Sequence, residues 1–324
     1  MSEISNLPAY EARKLIGQKQ ISSTEIVKSC LEQYEKYNPD VNAIVAIDKK
    51  DVLKQAKNCD EEVLKGQPLG LLHGLPVGIK DLQMVKNLRS TYGSLLYKDH
   101  IPNNDDDIIK NLREEGAIIF CKTNTPEFGA GANTKNKVYG ATGNPFQFNL
   151  TSAGSSGGSA AALSLNMISL ATGTDYGGSL RTPASFCGVT GFRPSPGMVP
   201  STEGIKLNPF SVAGPMGRDV RDAYLLLQAI VNIDNSDIFS SLNSFSLPSE
   251  LIPSDLSSIK MAFSSDLGCA PVDNDIKKVF LKKIEVIKSY FHYANNDHPD
   301  FLNIHDCFEV IRGLNYVTSH LEKV

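Results

Sequence analysis

The sequence lacks the patterns that mark membrane, metal-binding and nucleic-acid-binding proteins. Its six cysteines are widely spaced without a C-x-x-C pair, which argues against a zinc site and favours reduced thiols in a cytoplasm. No basic patch accompanies the net charge of -4, so direct nucleic-acid binding is not expected. The N-terminus lacks a signal-peptide pattern, and no apolar run reaches the roughly 18 residues of a membrane helix. These absences predict a cytoplasmic, globular chain.

Nucleotide-binding and common hydrolase motifs are also missing. The stretch AGSSGGSAAA, residues 153–162, precedes an alanine-rich run but matches neither G-x-x-x-x-G-K-[ST] nor G-x-G-x-x-G. A flexible linker is disfavoured because the following residues, 161–175, are apolar enough for a core. The G-x-S-x-G elbow is absent, and no histidine lies in a recognisable hydrolase motif. A serine nucleophile in this chain would therefore take its base from a lysine.

The first half of the chain predicts alternating helices and strands. Ser22 and Glu25 form a capping box, and apolar spacing predicts a helix over about 23–36 that Pro39 ends. LHGLPVGIKDL predicts a short buried strand over Pro76 to Lys80. The next segment, DDDIIKNLREEG, predicts a helix with acidic residues at its start and Gly116 at its end. The strand-like AIIFCKT follows it. This order indicates an α/β layer architecture.

The second half continues the pattern with more turns. A small-residue helix is predicted over 158–166, a short strand near 167–172, and then a glycine-rich turn. A helix follows Arg218 and Asp219, and the polar, turn-rich residues 233–257 predict a surface excursion. The C-terminal part predicts one strand and two helices, in IKMAFSSD, NDIKKVFLKKIEVIKSYF and IHDCFEVIRGLNYVTSHLEKV.

Two polar residues stand out as candidates for chemistry. Lys80 ends an apolar strand, and burial of its ammonium would favour the neutral amine, although a surface lysine at a strand end is the commoner case. Ser179 follows Gly177 and Gly178, where consecutive backbone N–H groups can point to one spot and form an oxyanion hole. From spacing alone, an ordinary tight turn with a hydrogen-bonded serine is the commoner case. Taken singly, neither residue establishes an active site.

Three motifs together resemble the amidase signature family of hydrolases. They are GLPVGIKD with Lys80, GSSGGSAAA with Ser155, and GTDYGGSLRTPASFCGVTGFRPSPG with Ser179. The two serines are 24 positions apart, the separation that this family keeps between its catalytic serines. The resemblance extends over nearly the whole chain, through the N-terminal helix, TNTPEFG, VAGPMGRDVRDAYLLL and DLGCAPVDNDIKKVF. One departure is Ala153, where the family usually has another glycine.

The resemblance implies a role for each motif residue. Ser179 would attack the amide carbonyl, and Ser155, after a cis peptide bond, would pass the proton to a neutral Lys80. The implied oxyanion donors are the backbone N–H groups of Tyr176, Gly177, Gly178 and Ser179. The implied supporting residues are Gly154, Ser156, Asp175 and Arg181, of which the last two would brace the nucleophile loop. No metal or other cofactor is implied.

The resemblance also implies a fold and a division of the chain. The expected fold is α/β, the amidase signature fold, with a large mixed β-sheet core and helices on both faces. One domain over 1–324 would comprise an N-terminal helical part, a catalytic core, a variable excursion and a partial C-terminal part, at 1–70, 71–232, 233–257 and 258–324. Family chains ordinarily continue further, so a C-terminally truncated member is expected.

The expected function is hydrolysis of a small linear carboxylic amide through an acyl-enzyme. One alternative is the glutaminase-type component of an aminoacyl-tRNA amidotransferase, its A chain, which requires partner subunits, although NPFSVAGPMGR resembles general amidases more closely. Another alternative is a truncated, non-catalytic remnant. The expected partner is a small-molecule amide, with neither a nucleic acid nor a membrane, and a homo-oligomer is compatible with the sequence.

Overall fold

The structure is a computed structural model that describes residues 4–200, 208–240 and 247–321. The chain divides into two compact units, Met1–Leu247 and Pro248–Val324. Among the helices of the described ranges, none combines the length and the apolar character that a membrane crossing requires.

The first unit is organised around a mixed sheet of six strands. Its described strands are β1 Ile44–Ala46, β2 Pro76–Lys80, β3 Ile118–Thr123, β4 Lys135–Asn136, β5 Gly140–Ala141, β6 Gly143–Asn144, β7 Gln147–Thr151, β8 Leu170–Asp175, β9 Thr190–Gly191 and β10 Val212–Gly217. The sheet order is β1-β3-β2-β8-β10-β9, and the short strands pair separately as β4-β5 and β6-β7. Strand β2 runs parallel to β3 and β8, while the outer pairs are antiparallel. The mixed sheet predicted from the sequence is confirmed.

Helices flank this sheet on both faces. They are α1 Ala9–Gly17, α2 Ser23–Val41, α3 Lys49–Leu64, α4 Asp107–Glu114, α5 Gly157–Ser164, α6 Arg181–Cys187 and α7 Val220–Ile230. Every residue of β2 and β3 is buried, as expected for parallel strands covered on both sides. The strand predicted over Pro76 to Lys80 has those bounds in the structure. Lys80, at the end of β2, is therefore held inside the core.

Helix α2 begins as predicted but ends later. Ser22 accepts a hydrogen bond from Glu25 N, and the Glu25 side chain returns to Ser22 N, so the capping box is present. The prediction that Pro39 ends the helix is wrong, because α2 continues to Val41 with Pro39 in its last turn. Asn42 closes the helix in the left-handed conformation, with φ 51°, and its N–H donates to Asn38 O. The buried Val41 and this cap outweigh the interruption that proline causes.

Strand β8 lies three residues later than predicted. The sequence predicted a strand near 167–172, whereas the structure places it at Leu170–Asp175. Asn166 takes a left-handed φ of 55° after α5, so the chain needs residues 166–169 to reach the sheet. Gly173, assigned to a turn by composition, instead pairs with Gly214 of β10, and Leu180 and Met216 pack against it. Glycine in this strand permits close side-chain approach.

The second unit contains β11 Lys260–Phe263 and β12 Tyr293–Asn296, which pair in parallel, with α8 Asn274–Ile287 and α9 Ile304–His320. The predicted strand and helices of this region are confirmed. Among its described residues, Ile284 is the one buried hydrophobic side chain. Of the predicted excursion over 233–257, residues 241–246 lie outside the described residues, and the described parts before Leu256 contain neither helix nor strand.

Candidate active site

Lys80 lies at the carboxyl end of β2, in the centre of the parallel part of the sheet. Its side chain is completely buried. The Nζ atom is 2.6 Å from Ser155 Oγ, 2.9 Å from Ser156 Oγ and 2.7 Å from Thr174 Oγ1. A lysine amine surrounded by three hydroxyl groups is thus placed where β2 and β8 end side by side.

The surroundings of Lys80 favour its neutral form. Burial lowers the pKa of Lys80 to about 7, and the negative charge of Asp175 opposes this shift only in part. Desolvation penalises an ammonium more than an amine, which explains the direction. A lysine with this pKa is available as a base near neutral pH.

The loop that carries Ser155 and Ser156 is packed against neighbouring backbone. The peptide bond between Gly154 and Ser155 is cis, and Ala153 has a left-handed φ of 58°. A Cβ atom on Gly154 would lie 3.0 Å from the backbone carbon of Asn133, so glycine permits this approach. Thr134 donates from both N and Oγ1 to Ala153 O, at 3.0 and 2.8 Å. These contacts fix the loop just before α5 begins.

Small residues at the start of α5 bring this helix close to β3. A Cβ atom on Gly158 would lie 2.3 Å from Asn124 N, and Ser159 Oγ is 2.7 Å from Thr123 Oγ1. Helix α5 is buried over Gly157–Leu163, in agreement with the apolar flank seen in the sequence. The serine-rich stretch is therefore a packed floor under Lys80 rather than a linker.

Ser179 lies on the turn between β8 and α6. Its carbonyl oxygen accepts a hydrogen bond of 3.2 Å from Ser156 N, which ties the turn to the Ser155–Ser156 loop. Ser179 is half-buried, and its hydroxyl has no hydrogen-bond partner within the described residues. The structure thus places Lys80 at the end of β2, beside Ser155, and joins the loop of Ser155 to the turn of Ser179 by a backbone hydrogen bond.

Asp175 and Arg181 brace this turn. The buried Asp175 carboxylate accepts from Gly178 N at 2.8 Å and Leu180 N at 3.2 Å, and it forms two hydrogen bonds with Arg181. Arg193 Nε lies 3.7 Å from the same carboxylate. Burial works against ionisation, but the bonds from Arg181 and the two backbone N–H groups hold the pKa of Asp175 below its ordinary value. The carboxylate is therefore a charged anchor for the turn.

The predicted oxyanion donors differ in their surroundings. Gly178 has a φ of 106°, and its N–H is occupied by Asp175. Within the described residues, the N–H groups of Gly177 and Ser179 donate to no protein acceptor. The centroids of the Tyr176 and Phe210 rings are 6.2 Å apart.

Two contacts at the site were not foreseen from the sequence. Thr174 supplies the third hydroxyl group that contacts Lys80. The sequence feature that could have indicated this contact is the position of Thr174 just before Asp175, on the strand that pairs with β2. Gly129 approaches Ser155 from another loop, since a Cβ atom there would lie 3.7 Å from Ser155 Oγ and 2.7 Å from Leu82 Cδ1. The segment TNTPEFG gave no indication of this approach.

A mixed α/β sheet with a buried lysine against a serine pair defines the class of this protein. The chain belongs to the amidase signature family: the family model described as Amidase matches residues 25–311. The resemblance of its three motifs to that family is thereby confirmed.

Individual relatives include both amidotransferase components and amidases. The chain is 35% identical over 291 residues to the A component of glutamyl-tRNA(Gln) amidotransferase from Clostridium botulinum, a match that covers 89% of this chain and 59% of that protein. The structure matches a bacterial aryl acylamidase with a TM-score of 0.81 at 29% identity, over 91% of this chain and 61% of that one. It matches a fatty acid amide hydrolase with a TM-score of 0.84 at 26% identity, over 98% and 57%. The chain thus spans about three-fifths of the length of these proteins.

Proposed function

We propose that this protein hydrolyses the carbon–nitrogen bond of a small linear amide through Ser179, Ser155 and Lys80. The observation that carries the proposal is the position of Lys80 Nζ, which is fully buried and 2.6 Å from Ser155 Oγ. A buried amine beside a serine hydroxyl can remove a proton and return it, which a serine nucleophile requires. Membership of the amidase signature family supports the same chemistry.

In the proposed reaction, Ser179 Oγ attacks the carbonyl carbon of the amide. Its proton passes to Ser155 Oγ, while the Ser155 proton passes to the neutral amine of Lys80. Collapse of the tetrahedral intermediate breaks the carbon–nitrogen bond, and the proton returns through Ser155 to the departing amine. Water then attacks the acyl-enzyme by the same relay, which releases a carboxylic acid and restores Ser179.

Backbone groups of the Ser179 turn would stabilise the oxyanion. The N–H groups of Gly177 and Ser179 have no acceptor among the described residues, so both can donate to a developing negative charge. Gly178 N–H would join them only after leaving Asp175. Tyr176 N–H is the remaining predicted donor. Loss of one oxyanion donor typically costs about 2.7–4 kcal/mol of transition-state stabilisation.

Covalent labelling and turnover together test the proposal. A fluorophosphonate probe should label the folded protein at Ser179, and mass spectrometry of the labelled peptide should locate it there. Ser179→Ala should abolish labelling and turnover of a panel of aryl and alkyl amides. Ser164→Ala, on the same chain outside the lysine cluster, is the matched control. Unchanged turnover in Ser179→Ala would falsify the assignment, and a folded protein without labelling would indicate a non-catalytic remnant.

A second candidate is the glutaminase component of an aminoacyl-tRNA amidotransferase. The observation that favours it is the 35% identity to the A component of glutamyl-tRNA(Gln) amidotransferase. In that case the amide is the side chain of glutamine, and partner subunits complete the enzyme. Ammonia release from glutamine should be measured with and without the partner subunits of such an enzyme. Release that requires those partners would replace the amidase proposal with this one.

The proposal includes a setting for the reaction. The six cysteines are unpaired in the structure, which suits the reducing cytoplasm expected from their spacing. The substrate is a small molecule, and no cofactor participates in the proposed steps. Size-exclusion chromatography with light scattering would determine whether the chain forms a homo-oligomer.

A further inference from the structure

Two lysines on neighbouring strands are completely buried. Lys80 ends β2, and Lys122 lies on β3, which runs parallel to it. The strand register pairs Lys122 with Ile79 and Lys80 with Thr123. Because side chains alternate along a strand, the two lysines project to opposite faces of the sheet. The proposed reaction uses Lys80 and leaves Lys122 without a role.

The partners of Lys122 all accept hydrogen bonds. Its Nζ lies 3.4 Å from Asp81 Oδ1, bonds Ser90 Oγ at 3.0 Å and donates to the carbonyl oxygen of Gln83. The Ser90 hydroxyl donates its own hydrogen to Leu88 O at 3.0 Å, so it can only accept from Lys122. An ammonium has three donors and no acceptor, which matches this set of three partners. A neutral amine would leave its lone pair without a donor there.

The partners of Lys80 are of a different kind. All three present a hydroxyl group: Ser156 donates its hydrogen to Thr174 O at 3.4 Å and therefore accepts from Lys80, whereas Ser155 and Thr174 can either donate or accept. A neutral amine can therefore donate to two of these groups and accept from the third. Hydrogen-bond chemistry thus permits a neutral lysine at 80 and favours a charged lysine at 122.

Asp81 is next to Lys80 in the chain and contacts Lys122. It is almost completely buried and accepts hydrogen bonds from Thr91 N and Thr91 Oγ1. Lys122 is the cation that contacts its carboxylate. A buried carboxylate without a cation would stabilise positive charge on a neighbouring lysine. An uncompensated charge on Asp81 would thus add to that of Asp175 in favouring the ammonium form of Lys80.

We propose that Lys122 is a positioning residue, a permanently charged ammonium that compensates Asp81 and so lets Lys80 act as the uncharged base. This inference rests on the proposed function of Lys80. Lys122 also holds the turn that follows Lys80, because Gln83 accepts from Lys122 through its carbonyl oxygen and donates from its N–H to Lys80 O at 3.0 Å. One side chain thereby sets both the charge and the geometry beside the base.

The other charges around the two lysines are compensated separately. On β8, Asp175 faces Lys80 and is paired with Arg181, with Arg193 nearby. Asp106 and Cys121 also act on Lys122, and the charges of Asp81 and Arg89 both act on Tyr139. Burial lowers the pKa of Lys122, and the charge of Asp81 opposes that shift. Among these groups, Lys122 is the ammonium in contact with Asp81.

The pH dependence of Ser179 reactivity tests this role. The rates of fluorophosphonate labelling and of turnover (kcat/KM) should fall on the acidic side of their pH profiles, where Lys80 gains its proton. In the full chain, Lys122→Met should move this acidic limb upward by about one pH unit, so that the rate at a given pH on the limb is about tenfold lower. Lys122→Met with Asp81→Asn removes both charges and should return the limb to its original position. Lys122→Arg keeps the charge while disturbing the packing, so its limb should not move. A uniform loss at every pH, with the limb unmoved in Lys122→Met, would overturn the proposal.

A titration that needs no turnover separates this proposal from the proposed function. Lysine labelled with ¹³C and ¹⁵N reports each side-chain amine by NMR, and Lys80→Met and Lys122→Arg assign the two signals. Lys122 should keep its ammonium shifts throughout the pH range in which the signal of Lys80 changes to that of a neutral amine. Deprotonation of Lys122 in this window would overturn the inference even in an active enzyme. The expected titrations in a protein without amidase activity would uphold the charge assignment and reject the proposed function alone.

Discussion

Asp175 and Arg181 form a forked pair across the turn that carries Ser179, with Arg181 Nε 2.9 Å from Oδ2 and Nη2 3.0 Å from Oδ1. The carboxylate is fully buried, whereas 57% of the Arg181 side chain is exposed. The same carboxylate binds the N–H groups of Gly178 and Leu180 on either side of the serine. The pair therefore acts on the position of Ser179 more than on the stability of the whole chain, because an exposed cation is screened by solvent.

Replacement of Arg181 should affect catalysis more than folding. We expect Arg181→Met to lower kcat/KM by up to about 100-fold, because a small displacement of a nucleophile has effects of that size. Arg181→Lys should fall between this variant and the parent, since lysine keeps the charge but loses the fork. Amide turnover and thermal unfolding measure the two effects. A fall in melting temperature with unaltered kcat/KM would contradict this role.

The activity should depend on pH through Lys80. Its pKa is lowered to about 7, so the neutral amine is present above that pH and is lost as the pH falls through it. We expect kcat/KM to decrease about tenfold per pH unit on the acidic side of the limb. Stopped-time assays from acidic to mildly alkaline buffers would locate the limb. A limb well above neutrality would contradict the lowered pKa, and a profile without an acidic limb would show that Lys80 is not the base.

Two helix glycines should respond oppositely to alanine. A Cβ atom on Gly158 would lie 2.3 Å from Asn124 N, so Gly158→Ala should destabilise the first unit by about 1–3 kcal/mol through overpacking. Gly313 in α9 has no atom within 4 Å of such a Cβ, so Gly313→Ala should stabilise its helix by up to about 1 kcal/mol. Urea unfolding of both variants measures the difference. Equal midpoints would refute the packing argument.

Asp222 should make stability depend on mildly acidic pH. Burial raises the pKa of Asp222 to about 6 from its ordinary value of 3.8, and its Oδ2 has no hydrogen-bond partner within the described residues. The folded state therefore holds the proton more tightly than the unfolded state. The contribution of protonated Asp222 to the free energy of unfolding is fully present below the ordinary pKa of aspartate. It is lost as the pH rises through about 6, by up to about 3 kcal/mol.

Asp222→Asn provides the comparison. Asparagine can still accept the hydrogen bond that Tyr10 N donates to Oδ1, but it has no charge to bury. The free energy of unfolding of the parent should therefore fall relative to that of Asp222→Asn between about pH 4 and about pH 6. Parallel pH profiles for the two proteins would rule out Asp222 as the titrating group.

The parts of the site that could be predicted from the sequence are those fixed by local pattern. A run of buried residues between turn signals predicts a strand, and Lys80 at its end follows from the run itself. The capping box of α2 is likewise a local device. Asn42 shows the limit of such rules, because its left-handed cap and the burial of Val41 let α2 pass through Pro39.

Other features depend on which strands become neighbours. Thr174 contacts Lys80 only because β8 pairs with β2, and Lys122 contacts Asp81 only because β3 pairs with β2 on its other side. Gly129 reaches Ser155 from a loop that no periodic pattern describes. These contacts join residues far apart in the chain, so they depend on tertiary packing that the local patterns do not specify.

The position of Lys80 between β3 and β8 has a consequence for how the chain folds. Its hydroxyl partners lie 75 to 94 residues away, so the side chain is hydrated and carries its proton until these distant segments meet. Because the folded pKa is about 7, proton release from Lys80 accompanies folding in mildly alkaline solution. In weakly buffered solution near pH 8.5, refolding should therefore liberate about one proton from this side chain. The general base is thus produced by assembly of the sheet.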